Sequence, residues 1–302
     1  NKGMNAKLVD WIVVQDRDPY DLPSVTEDNA IMFMDVRNFA TISEGMSSQT
    51  LTDFLRSLNE ILAKPLFEFE DRGCVAYTDK FIGDGTMNIF TDPAIALRVA
   101  VEIRTQLAEF NRTPQVFFSG NPARVNVGTG IAFGPVTLGI MGHSRRVDFT
   151  TIGDTVNLAS RLESLTKEYL VSVLVNDTLY NAVDPGLFHL RHIDRIRVKG
   201  RSRPVNIYEE FSADSPPLRD MKLKLLPEFK ALQEMYFSGE NWKEAIALGE
   251  DLTQRLAGTP GEHHAEGPGD PLPSIYVRRM KTILENPDYF ARWDGVYTFN
   301  SK

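Results

Sequence analysis

Ile31, Met32, Phe33 and Met34 form an unbroken apolar run closed by Asp35, the pattern of a strand buried on both faces. From about Ser48 to about Phe69 the period changes. Leu51, Phe54, Leu55, Leu58, Ile61 and Leu62 recur at helical spacing. Val75 to Ile82 and Thr86 to Phe90 are two β-like runs around Gly83-Asp84-Gly85, which predicts a hairpin. Asp92-Pro93 reads as an N-cap and first helical residue, with a stripe through Ile95, Leu97, Val99, Ile103 and Leu107. Residues 111–123 read as a loop. Val125 to Phe133 is a further strand, and Gly134-Pro135 is expected to break it from Val136 to Ile140. A helix to about Lys167 follows Asp154, then a strand over 170–175. The run from Ile193 to Ile207 alternates, with Ile196 and Val198 against Arg195, Arg197 and Lys199.

The order β-α-β-β-α-β predicts an α/β (α+β) fold of the ferredoxin-like, split βαβ type. In that layout the end of the first strand lies beside the central hairpin, so Asp35 and Asp84 meet although distant in sequence. The chain divides into an N-terminal linker or helix (1–25), a main domain (26–212) and a C-terminal helical extension (213–302). The break falls at the composition shift around Ser215-Pro216-Pro217. In the extension, Leu225, Phe229, Leu232, Met235 and Tyr236 form one stripe. Trp242, Ala245, Ile246 and Leu252 form a second, with Gly239 to Asn241 between. This tetratricopeptide-like pair cannot cover its own apolar face and must pack on the main domain or on a second chain. Thr259 to Pro273 reads as a flexible loop, and His263-His264 within it as solvated side chains.

The 302 residues allow about two domains. Hydrophobic residues at 42% and charged residues at 25% exclude wholesale disorder. A net charge of −8 argues against a nucleic-acid partner. Cys74 is the only cysteine, which excludes an internal disulfide and a cysteine zinc cluster and favours a reducing compartment. The chain begins with Asn1, so it is expected to be a piece of something longer; it carries no transmembrane run and no signal peptide, so a cytoplasmic location is expected. That includes the cytoplasmic part of a membrane-anchored protein, whose upstream sensor or membrane domain would lie outside this fragment.

Two carboxylates on adjacent strand tips suit a hard cation, which takes one or two protein carboxylates and completes its shell with phosphate and water. The plainer reading is a strand end and a turn aspartate. Lys80 is a charged residue on a mainly apolar strand, four before Asp84. Asn157 and Arg161 share one helix face, fit for a sugar and a developing phosphate charge or for an ordinary polar stripe.

Three segments change the weight of these readings. They are Phe33 to Phe39, Lys80 to Gly85, and Asp148 to Glu163, the last reading DFTTIGDTVNLASRLE. In order and spacing they resemble the signature segments of class III nucleotidyl cyclases, over about residues 26–212. The resemblance implies that Asp35 and Asp84 bind two Mg²⁺ (or Mn²⁺) and that Lys80 and Thr150 read the purine. It implies that Asn157 and Arg161 act on the transition state and that Lys199 holds the β/γ phosphates. The Lys/Thr pair is similar to that of class IIIb bacterial adenylate cyclases. Asn38 and Ala40 depart from the family's Gly and Thr in the first segment. The implied function is conversion of ATP to 3′,5′-cyclic AMP and pyrophosphate by two-metal in-line attack of the ribose 3′-hydroxyl, in a homodimer with composite sites. The alternatives are a catalytically silent nucleotide-binding or dimerisation domain, and a guanylate cyclase.

Overall fold

The computed structural model describes residues 24–70, 76–112, 124–143, 146–197, 203–257, 259 and 269–299. Cys74, the loop after Arg112, His263-His264, Lys199 and the expected N-terminal helix lie outside them. The strands are β1 (Val25–Val36), β2 (Ala76–Ile82), β3 (Gly85–Phe90), β4 (Val127–His143), β5 (Arg146–Ile152), β6 (Val173–Asn176), β7 (Leu190–Arg197), β8 (Val205–Glu210) and β9 (Tyr297–Thr298). The helices are α1 (Phe39–Ser43), α2 (Ser48–Glu70), α3 (Pro93–Arg112), α4 (Asp154–Tyr169), α5 (Asp177–Ala182), α6 (Pro216–Ser238), α7 (Trp242–Leu256), α8 (Leu272–Leu284) and α9 (Pro287–Phe290). The strands form one sheet in the order β2-β3-β1-β4-β6-β8-β7-β9, with β5 hairpinned onto the far half of β4.

β1 is central and antiparallel to both β3 and β4. Successive side chains on a strand point to opposite faces. Ala30, Met32, Met34 and Val36 therefore enter one core with α2 and α3, and Ile31 enters the other with α4 and the C-terminal helices. Phe54, Leu58, Leu62 and Leu66 of α2 are all buried, four apart, as the helical period requires.

Three expectations change. β1 begins at Val25 rather than near Ile31, because Val25 to Asp28 extend the ladder against Pro135 to Leu138. Those four residues are exposed, so their polarity does not oppose strand formation. Gly134-Pro135 does not break β4. Pro135 lies between the β6 pairing, which ends at Ile131, and the β5 pairing, which starts at Thr137. There β4 has its ladder partner on the β1 side alone, where a missing N–H is tolerated. The extension also holds more than a helix pair, since α8 begins at Leu272, inside the expected loop.

The extension packs on the main sheet of its own chain. Leu225, Phe229, Leu232, Tyr236, Trp242 and Tyr276 share a buried cluster with Leu174, Ile193 and Ile207. Charges are buried with them. Arg191 on β7 forks onto Asp270 at 2.5 and 2.8 Å and donates to Glu209 at 2.6 Å. Lys222 on α6 bridges Glu209 at 2.7 Å and Asp214 at 2.6 Å, and Arg104 on α3 reaches Asp214 at 2.6 Å. Three cations are thus matched by three carboxylates. The fourth carboxylate, Glu210, sits 4.0 Å from Arg104, and burial pushes its pKa up to about 7. A second junction joins Arg279 of α8 to the fully buried Asp194 at 2.6 Å, with the guanidinium 3.7 Å over the Tyr297 ring.

Candidate active site

The first segment of the site is made by a close strand approach. A Cβ at Gly85 would stand 2.4 Å from the Met34 carbonyl oxygen, so only glycine lets the hairpin turn lie against the end of β1. Asp84, in that turn, thereby comes beside Asp35. Burial, joined by the Asp35 charge, pushes the Asp84 carboxyl up, and backbone N–H bonds from Asp84 itself and from Val36 pull it back. Two carboxylates that repel at a partly buried strand end are the donor set that a hard divalent cation satisfies, with substrate oxygens completing its shell. Among the described residues no group of three or more His, Cys, Asp or Glu side chains converges for a metal, so the pair is not part of a closed protein cage.

Beyond Asp35 the chain turns through Asn38, whose φ of 55° is left-handed. Asparagine is among the few non-glycine residues that adopt this conformation readily, which explains how it stands where the family pattern has glycine.

α4 lies almost on the backbone of β4. A Cβ at Gly130 would collide with the backbone of Glu163 and Ala159, so glycine sets the depth of the helix. The C-terminal half of α4 then faces Asp35. Lys167 donates to Asp35 Oδ2 at 2.9 Å and stands 3.9 Å from Glu163 Oε1. The bond to Asp35 raises the Lys167 pKa, while burial raises that of Glu163. Arg37 donates to the Val171 carbonyl oxygen at 2.7 Å, and burial lowers its pKa. Neither Arg37 nor Lys167 nor Glu163 stands out as a site residue in the sequence. The i,i+4 Glu163–Lys167 spacing was the available signal.

The remaining expected site residues lie elsewhere. Asn157 is exposed and Arg161 half-buried on the N-terminal half of α4. That half is fixed by Thr155, which donates to the Pro135 carbonyl oxygen at 2.9 Å. Asn157 and Lys167 are ten residues apart on the helix, about 15 Å along its axis. Asn157 therefore lies towards the opposite end of the helix from the aspartate pair, with Arg161 near its middle, about 9 Å along the axis from Lys167. Thr150 is half-buried on β5, opposite Gly139. Lys80 is exposed on β2, at the edge of the described sheet, after a register shift, and pairs with Asp79 at 3.0 Å.

Residues 23–209 match the family model of the adenylate and guanylate cyclase catalytic domain. Over 252 residues the chain is 31% identical to a terminal-differentiation specific adenylate cyclase of Dictyostelium discoideum, covering 82% of this chain and 11% of that protein. It is 38% identical over 185 residues to an adenylate cyclase of Anabaena cylindrica, covering 59% of this chain and 36% of that one. The chain thus spans only a minor part of these relatives' length. Among solved structures, the adenylyl cyclase CyaB from P. aeruginosa superposes with a TM-score of 0.55 at 29% identity, over 63% of this chain and 96% of that one. A bacterial light-regulated adenylyl cyclase shares the fold with a TM-score of 0.61 at 22% identity, over 71% of this chain and 60% of that one. With its paired strand-end aspartates and the match across more than half its length, the chain belongs to the adenylate and guanylate cyclase catalytic domain family.

Proposed function

We propose that this chain is the catalytic part of an adenylate cyclase that converts ATP to 3′,5′-cyclic AMP and pyrophosphate. Residues 26–212 form the catalytic unit, and 213–302 its helical extension. The ribose 3′-oxygen forms a bond to the α-phosphorus, the bond from that phosphorus to the bridging oxygen breaks, and the hydroxyl proton leaves to solvent. Asp35 and Asp84 would hold two divalent cations, whose charge would favour loss of the 3′-hydroxyl proton and would neutralise the triphosphate. Arg161 offers its planar fork to charge gathering on the α-phosphoryl group, and Asn157 orients the ribose. Lys80 and Thr150 hydrogen-bond the adenine edge, and Lys199 pairs with the β/γ phosphates.

The observation that carries the assembly is the separation along α4. About 15 Å is too far for Asp35 and Asn157 of one chain to act on one ribose 3′-oxygen and its α-phosphoryl group. A two-fold dimer brings the aspartates of one protomer to the α4 N-terminal half of its partner and creates two equivalent sites. The relatives named as adenylate cyclases support ATP as substrate. A cytoplasmic setting fits that substrate. Among the described residues no helix is long and apolar enough to cross a membrane.

The test is purified protein with Mn²⁺ or Mg²⁺ and either ATP or GTP, with products resolved by chromatography. Cyclic GMP as the main product would reassign the base, and no cyclic product would favour a silent domain. Mixing inactive Asp35→Ala and Asn157→Ala proteins should restore activity, because one of the two sites in a mixed dimer is intact. Demonstrated subunit exchange without recovered activity would refute the composite site.

A further inference from the structure

Lys167 stands between two carboxylates and bonds only one. Its ammonium is 2.9 Å from Asp35 Oδ2 and 3.9 Å from Glu163 Oε1. The Glu163 carboxylate is the more buried of the two, and its Oε1 accepts no hydrogen bond from any described residue. Its Oε2 takes only a long bond from Ser164, at 3.3 Å. Arg37, the other cation of the cluster, is held by the Val171 carbonyl oxygen. A buried carboxylate oxygen without a donor is costly, and here a half-exposed ammonium lies about one ångström short of hydrogen-bonding it.

We propose that Lys167 and Glu163 are positioning residues that work as a handover pair for the Asp35 carboxylate. Lys167 holds Asp35 while no divalent cation is bound. When a cation takes Asp35, the ammonium moves to Glu163. The inference rests on reading Asp35 and Asp84 as cation ligands.

The physical case is a balance of two ion pairs. A divalent cation that binds Asp35 through Oδ2, or through both oxygens, displaces the ammonium from the 2.9 Å contact. The freed ammonium would otherwise remain beside the incoming charge. Lysine suits the move, since its ammonium is a point charge on a flexible four-carbon stem, without the fixed fork of arginine. Glu163 suits it as receiver, being four residues back on the same helix face and anchored by the contact of α4 with Gly130. The apparent affinity for the cation is then set by the difference between the two Lys167 pairs. Asp84 takes its bonds from backbone N–H groups and feels Lys167 only through its charge.

The experiment measures Mn²⁺ binding to the full chain, without nucleotide, by electron paramagnetic resonance. Wild type is compared with Lys167→Met, Glu163→Gln, the double variant and Asp35→Asn, each checked for folding by thermal melting. Lys167→Met should tighten Mn²⁺ binding by about fivefold, the scale of a half-exposed ion pair. Glu163→Gln should weaken it several-fold in wild type and change it by less than about twofold in the Lys167→Met background, because no ammonium then needs a receiver. Equal effects of Glu163→Gln in both backgrounds would mean a plain field effect and would overturn the handover. Unchanged or weaker binding by Lys167→Met would overturn it too. If Glu163→Gln fails to fold, Lys167→Arg replaces it. The fork can span both carboxylates at once, and Mn²⁺ should then bind more weakly than to wild type; unchanged affinity overturns the idea. Asp35→Asn separates the layers. Undiminished Mn²⁺ binding there would remove the cation-ligand reading itself. Lost binding with an additive cycle would keep that reading and remove the handover.

Discussion

The cluster around Asp35 and the cluster around Arg191 use the same chemistry, alternating cations and carboxylates, in opposite solvents. Lys167 is 49% exposed in its pair with Asp35, whereas Lys222 is 2% exposed in its pair with Asp214. Near the surface an ion pair is worth about 0–1 kcal/mol and its partners can be exchanged. Inside, each charge is locked by the cost of leaving its partner unpaired. A catalytic domain needs the first kind where cation and substrate arrive, and the second where an extension must stay attached.

The comparison breaks most severely at Arg191. Arg191→Met leaves Glu209 and Asp270 buried without their guanidinium and should cost about 3–5 kcal/mol. Thermal melting should show a fall of roughly 10 °C. A loss under about 1 kcal/mol would mean that the junction is hydrated and not locked. At the other cluster, Asp35→Ala should leave the melting point nearly unchanged while turnover falls by about 10²–10³-fold, the scale of losing one transition-state electrostatic contact. Steady-state assays with Mn²⁺ and ATP measure this, and wild-type-like turnover would remove Asp35 from the chemistry.

Glu210 sharpens the contrast through pH. Its folded pKa of about 7 lies above the ordinary 4.5, so its protonated form stabilises the fold below pH 4.5 and that contribution is lost as pH rises toward 7. Glu210→Gln cannot ionise and keeps an acceptor for the Ser212 N–H. Its melting point should match wild type near pH 4.5 and exceed it by several degrees at pH 8. A constant difference between the two pH values would show that Glu210 does not titrate in this window. The smallest effect belongs to the exposed Lys281–Glu250 pair, 2.6 Å apart. Lys281→Ala should shift stability by no more than about 0.5 kcal/mol in urea titrations, despite a contact as short as those in the buried network.

The parts of the fold legible in the sequence are those where one element carries its own signal. The apolar run before Asp35, the helical stripe through Phe54 and Leu58, and the Gly83-Asp84-Gly85 turn each declare themselves, and topology alone brings Asp35 to Asp84. The Asn157/Arg161 spacing is legible in the same way. What was not legible depends on partners from other elements. Lys222, Asp270 and Arg279 carry no local signal of burial, which appears only where β7, β8 and α8 meet around them. α8 carries the helical stripe Leu272, Ile275, Tyr276, Met280 and Ile283, but it starts at a proline-rich boundary that reads as loop. The Lys167–Asp35 contact spans 132 residues, and local spacing does not reveal it.

β9 is only two residues long, yet it lies against β7 and closes that margin of the sheet. The opposite margin is β2, and there the register shift between Thr78 and Lys80, with the Asp79–Lys80 charge pair beside it, interrupts the ladder. A bulged, charged margin is a poor template for another strand. Among the described residues neither margin therefore invites the sheet to grow by adding a neighbour's backbone. A strand added at either described margin would meet a two-residue edge or a register shift, which disfavours fibre-like stacking of copies.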